Sequence, residues 1–142
     1  MTNSSHHPAA ASFEKHIGAS LGVDMPDFWA ILGEYAPYAL DGYLEMRRGV
    51  FGRAEDGATS TIPKQYLEMM VVALNIAQDN HWGLRAHTRA ALRAGATPDE
   101  LVQLVVLTIM STGMVSYRKT GYLVLEELRA YEAASSEEHA VI

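Results

Sequence analysis

The chain of 142 residues is 49% apolar and 20% charged, which suits one globular domain and excludes wholesale disorder. Its net charge of −6 denies it the basic face that phosphate backbones require, and its lack of cysteine excludes disulfides, thiolate nucleophiles and cysteine-based zinc sites. No apolar run is long enough for a membrane helix, and the start MTNSSHHPAAASFEKH has neither the basic head nor the apolar stretch of a signal peptide, so the expectation is a cytoplasmic protein with no nucleic-acid or membrane partner.

Residues 1–22 are rich in Ser, Ala and His and weakly periodic, the pattern of a mobile arm or loosely docked first helix ahead of a domain spanning 23–142. At Asp24-Met25-Pro26 an aspartate can cap a helix and a proline can open it, with Phe28, Trp29, Ile31 and Leu32 supplying apolar cover. Pro37 opens a second helix through Leu40, Tyr43, Leu44 and Met46 to about Val50. Gly52 to Thr61 carries two glycines and no apolar period, which predicts a loop. Pro63 then opens a helix to about Gln78 that is apolar nearly all round, the mark of a buried central helix. Asp79 or Asn80 caps the next, which stops at Gly95. Thr97-Pro98-Asp99-Glu100 is a capping box with proline at the first helical position. Gly113 interrupts that helix, and a last one carries Tyr117, Gly121, Leu125, Leu128 and Tyr131. Nothing alternates with period two over a strand length, so the fold reads as an all-α bundle of five or six helices.

Glu68 lies in Tyr66-Leu67-Glu68-Met69-Met70-Val71-Val72, and its stripe continues through Val71 and Val72 to Asn75. A carboxylate on an apolar face must be paired or hold its proton more tightly than in water, which is how general acids and bases are made. A structural ion pair meets the same requirement. His87 shares its stripe with Asn80, Gly83, Leu84, Ala91 and Ala94, and the small residues let a helix or ligand approach the imidazole. His81 sits about 240° around the helix from His87, so the two cannot clamp one metal ion. With no His-x-x-x-His or Glu-x-x-His spacing near them, a metal site is not expected. Arg47, Arg48 and Arg85 are candidates for a substrate carboxylate, because a guanidinium matches that group bidentately.

The segment Gln65-Tyr66-Leu67-Glu68, followed by Asn80-His81-Trp82-Gly83-Leu84-Arg85-Ala86-His87 and on through Thr97-Pro98-Asp99-Glu100-Leu101, resembles the carboxymuconolactone decarboxylase family. That superfamily also holds the alkylhydroperoxidase-D-like enzymes, and the resemblance runs from about Pro63 to Leu128. In the peroxidase branch a glutamate, two cysteines in CxxC and a histidine form a proton relay. Glu68 and His87 match the glutamate and histidine, while Asn80 and Gly83 fall on the cysteines. Without sulfur there is no sulfenic acid or disulfide turnover, so thiol peroxidase activity is excluded. The stretch from Leu84 to Leu101 is closer to the decarboxylase branch, although that branch tends to carry an acidic residue at Gly83. It also tends to show Tyr and Gly-x-Pro where Ser111, Gly113 and Val115 stand.

The resemblance implies an all-α protomer in a trimer or hexamer, and a cofactor-free enzyme acting on a small anionic lactone or related carboxylic acid. Decarboxylation without a cofactor requires stabilising an enolate and delivering a proton to carbon. On the matched positions His87 is the proton donor and Glu68 orients it or exchanges its proton, Asn80 or His81 binds the oxyanion, and one of Arg47, Arg48 or Arg85 holds a spectator carboxylate. An isomerase or lactone hydrolase could use the same set. A non-catalytic ligand-binding or assembly protein on this scaffold is the rival from another class, and the absent cysteines and decarboxylase features favour it. A buried charge without a role would be costly, which counts against it.

Overall fold

Proline and glycine punctuate the chain, and the elements fall between them. The computed structural model describes residues 8–22, 24–53 and 58–140, and the chain divides between Thr61 and Ile62 into two compact units. The protein is all-α, apart, among the described residues, from one minimal pair of strands in which β1 (Gly52–Arg53) runs antiparallel to β2 (Ala58–Thr59). That pair lies in the stretch expected to be loop.

The N-terminal unit holds α1 (Pro8–Leu21), α2 (Asp27–Tyr35) and α3 (Pro37–Phe51), each packed on the other two. Phe13, Ile17 and Leu21 recur at helical spacing and bury one face of α1. Helix α2 starts at Asp27 behind Pro26, with no side-chain cap, so Asp24 does not serve as the cap the sequence suggested. A tripeptide that ends in proline favours extended backbone before it, which delays the helix. Pro37 stands at the first position of α3 as expected, and Leu40 and Leu44 are buried there.

The C-terminal unit holds α4 (Lys64–Ala77), α5 (His81–Arg93), α6 (Pro98–Thr112), a short α7 (Met114–Ser116), a π-turn (Tyr117–Gly121) and α8 (Tyr122–Ala140). Asn80 is the cap of α5, its Oδ1 accepting from the Gly83 N–H at 3.0 Å. The Thr97–Glu100 capping box is complete in both directions, and Gly113 ends α6 with φ near 85°. Val72, Ile76, Leu84, Ala91, Leu101, Val105, Leu123 and Val124 form the core of this unit.

Two features differ from the sequence reading. Helix α4 is buried on one face only: Leu67, Glu68, Val72, Asn75 and Ile76 are inside, whereas Tyr66, Met70 and Leu74 are exposed. Those three recur every fourth residue, so one apolar stripe of α4 is left uncovered within the chain. The expected last helix is also broken, because the π-turn adds a residue to the first turns. There the Thr120 hydroxyl, fully buried, donates to the Asp79 carboxylate between α4 and α5. Asp79 itself adopts φ near 57°, a left-handed conformation that aspartate tolerates better than most residues.

Candidate active site

Helices α4 and α5 are joined by a short turn and pack along their length, so side chains on their facing sides meet in rungs. Two such rungs carry polar groups. At the far rung, Glu68 and His87 meet: Oε2 lies 2.6 Å from Nδ1. Glu68 is 0% exposed and His87 7%. The Nδ1–H donates to the carboxylate, which fixes the imidazole's orientation and leaves Nε2 as the nitrogen able to exchange a proton. Nε2 has no hydrogen-bond partner among the described residues. Glu68 Oε1 is also buried without a partner. An unmet acceptor on a buried carboxylate is costly, commonly ~1–3 kcal/mol or more for a charged group. A bound donor would remove that cost.

The rung nearer the turn is made of amides. Asn75 is buried, and its Nδ2 donates to the Val71 carbonyl at 2.8 Å. Its Oδ1 lies over Gly83. A Cβ at Gly83 would fall 2.6 Å from Asn80 Nδ2 and closer still to Asn75 Oδ1. The small residue at 83 therefore admits the Asn75 side chain, a neighbour from the same chain.

This arrangement occurs in a chain that the carboxymuconolactone decarboxylase family profile matches over residues 37–119. A crystal structure of a candidate carboxymuconolactone decarboxylase from Burkholderia xenovorans LB400 superposes with a TM-score of 0.76 at 30% identity, covering 91% of this chain and 98% of that one. No curated protein is significantly similar to the chain. The chain belongs to the carboxymuconolactone decarboxylase family. It is a cysteine-free member, in which Asn80 is a helix cap and Gly83 is packed beneath an amide.

The remaining candidates stand apart from the Glu68–His87 pair in what they touch. His81 is exposed, with Nε2 3.3 Å from Asp79 Oδ1. Arg85 is spent on α8: its two terminal nitrogens each donate at 2.7 Å, one to Glu127 and one to Glu126. Arg48 donates to Glu45 at 2.6 Å and has a ring nitrogen of His16 at 3.3 Å. Arg47 instead lies 4.4 Å over the Phe51 ring with Nη2 buried and unpartnered. Among the described residues no three His, Asp or Glu side chains converge as a metal site would require.

Sequence reasoning missed two polar clusters. Glu127 is 5% exposed and receives Arg89 Nε at 2.6 Å as well as Arg85, tying α5 to α8. Burial alone would raise its carboxyl, but the hydrogen bonds from Arg89 and Arg85 outweigh it and hold the group below the usual glutamate range. Arg85 is in turn held more firmly protonated, chiefly by Glu127. The position of Glu127 beside Leu123, Val124 and Leu128 on one stripe of α8 was the available signal. The second cluster is Asp79, whose carboxyl is lowered first by the Thr120 hydroxyl and then by His81 and Lys119. No sequence pattern links residues 79 and 120.

Proposed function

We propose that this protein is a cofactor-free enzyme of carboxymuconolactone decarboxylase type, acting on a small anionic lactone or related carboxylic acid. The observation that carries the reading is the Glu68–His87 pair, buried, 2.6 Å apart and with one carboxylate oxygen unmet. Loss of CO2 leaves an electron pair on carbon, which the substrate's own carbonyl or conjugated lactone accepts as an enolate. His87, protonated at Nε2, delivers a proton to that carbon, and Glu68 compensates the imidazolium charge before transfer. Glu68 Oε1 then has a natural partner in a substrate hydroxyl or in water. Asn80 Nδ2 or the exposed His81 is the donor to the developing oxyanion. The spectator carboxylate calls for a cation, and Arg85 and Arg48 are already paired with the protein's own carboxylates.

The uncovered apolar stripes support a homo-oligomer, and a trimer or hexamer is what the family resemblance implies. Tyr66, Met70 and Leu74 on α4 and Val102, Val106 and Met110 on α6 remain exposed in the single chain, and α4 packs on α6.

A non-catalytic binding or assembly role is favoured by one observation, that Asn80, Arg85 and Arg48 already serve structural bonds. A screen of small lactones and their carboxylic acids, followed by CO2 release and product analysis, separates the readings. Turnover that disappears in His87→Ala supports the enzyme, and an isomerised or hydrolysed product without CO2 reassigns its reaction. Saturable binding with no chemistry on any of them supports the scaffold.

A further inference from the structure

The N-terminal unit leaves a broad apolar face uncovered. On α2 the residues Phe28, Ile31, Leu32 and Tyr35 recur at helical spacing and are all exposed, Tyr35 by 83%. On α3 Tyr38, Met46 and Val50 are exposed along one side, Tyr38 by 77%. Gly42 and Gly49 fall between Tyr38 and Met46 around the helix, and a Cβ at either would meet nothing within 4 Å. The middle of the α3 row is therefore open to the close approach of another backbone.

The two rows form one surface. Ala36 alone joins α2 to α3, and the Trp29 and Tyr43 ring centroids lie 5.7 Å apart, so the helices fold back on each other. At about 100° per residue, Leu32 borders Trp29 on the exposed side of α2, and Val50 borders Tyr43 on α3. The apolar rows thus meet along the Trp29–Tyr43 seam. Helix α1 sets Phe13 against both of those rings, yet leaves the rows exposed.

Charge lies on the outer edges. Asp27 and Glu34 stand on the side of the α2 row away from Trp29, and Asp41 on the side of the α3 row away from Tyr43. All three are exposed and make no ion pair among the described residues. Glu45, next to Asp41 around the helix, shares its charge with Arg48. The only basic residues of either helix, Arg47 and Arg48, are half-buried outside the row.

We propose that this face docks the amphipathic helix of another protein, apolar along one side and flanked by lysine or arginine. Acid on both edges repels phosphate, which disfavours nucleic acid and anionic lipid. A two-fold contact between copies would set like acid rows against one another. The chain has 17 acidic and 11 basic residues, so its other surfaces offer little complement. A helix laid on the apolar rows with opposite charge at its rims satisfies both demands. Exposed tyrosine and methionine suit such a contact, since both are enriched where proteins meet. The proposal is independent of the Glu68–His87 chemistry.

The probe is a synthetic peptide the length of α3, built of leucine and lysine with the leucines on one helical face. Fluorescence anisotropy of the labelled peptide is followed against the full chain. The expected result is saturable binding of one peptide per chain that weakens as salt is raised. Gly42→Arg fills the open middle of the face with a bulky cation and should weaken binding at least ~10-fold. Its melting temperature should be unchanged or higher, because glycine disfavours a helix and nothing stands where the new side chain would start. Glu34→Lys with Asp41→Lys should weaken binding comparably, whereas Glu132→Lys with Glu137→Lys on α8 should leave it unchanged. The proposal is overturned if the peptide does not bind, if a scrambled peptide of the same composition binds as well, or if the α8 variant loses as much as the α2–α3 variant. It is equally overturned if Gly42→Arg lowers the particle mass in light scattering, which makes a second copy the occupant. Phosphatidylcholine vesicles that bind the wild type and not Gly42→Arg would overturn it in favour of lipid.

Discussion

Replacing Glu68 by glutamine preserves its size and removes its charge. The amide oxygen can still accept the Nδ1–H of His87 at the 2.6 Å contact, so the ring's orientation survives. The imidazolium form of His87 loses its counter-charge, and at 0% exposure of residue 68 no solvent replaces it. If the pair transfers protons, turnover should fall ~10²–10⁴-fold. That range corresponds to roughly 2.7–5.4 kcal/mol of transition-state stabilisation. KM should change far less, because the interaction is made in the transition state. His87→Ala should fall in the same range, and the double variant should be little worse than the poorer single one, since groups acting as a unit are not additive. A purely structural pair behaves differently. Removing one partner would cost ~3–5 kcal/mol of stability. At roughly 2–4 °C per kcal/mol, the melting temperature would drop by about 6–20 °C with turnover per folded molecule intact. Circular-dichroism melting measured beside CO2 release distinguishes the two. Near-normal turnover in well-folded Glu68→Gln and His87→Ala proteins would refute the catalytic assignment.

Three further perturbations test the frame around the pair. Glu127→Gln keeps the side chain's shape but turns charge-assisted bonds to Arg85 and Arg89 into neutral ones, and should cost about 1–2 kcal/mol in urea denaturation. Because the Glu127 and Asp79 carboxyls are lowered in the folded state, their contribution is complete above the ordinary carboxylate pKa of about 4 and is lost as pH falls through their folded values. Wild-type stability should therefore decline with pH below about 4, and the Glu127→Gln protein should decline less steeply; equal slopes would remove this assignment. Gly83→Ala should destabilise by about 1–3 kcal/mol through collision with Asn75, and adding Asn75→Ala should restore part of the loss. In light scattering the wild type should exceed the 15.6 kDa of one chain, and Met70→Glu should shift it toward the monomer. A 15.6 kDa particle at micromolar concentration would remove the oligomer.

The fold was most legible where local backbone chemistry leaves few choices. Thr97-Pro98-Asp99-Glu100 meets every requirement of a helix start at once, and the structure has both reciprocal bonds. Pro37, Asn80 and Gly113 marked boundaries for equally local reasons. Apolar periodicity was less decisive. A helix apolar all round reads as buried whether its cover comes from its own chain or from elsewhere, and α4 exposes Tyr66, Met70 and Leu74 in the single chain. The π-turn escaped detection because what accompanies it, the Thr120–Asp79 bond, joins residues 41 apart in sequence.

The same distinction separates the legible part of the site from the rest. Glu68 stood out because a carboxylate on an apolar face demands a partner, and His87 was the matching group on the neighbouring helix; the structure brings them together. The arginines could not be ranked that way. All three are compatible with solvent, and only the positions of other carboxylates show that Arg85 and Arg48 are satisfied. Arg47 differs from them through an absence, the missing acceptor at Nη2, and Trp29 through the same absence at Nε1. Sequence patterns report which groups tend to meet, whereas an unmet buried donor is a property of three-dimensional packing alone. Among the described residues the buried side-chain groups left unmet, Glu68 Oε1, Trp29 Nε1 and Arg47 Nη2, are one acceptor and two donors. A folded chain tolerates such groups when something outside it completes them, and at Glu68 Oε1 the proposed substrate or water does so.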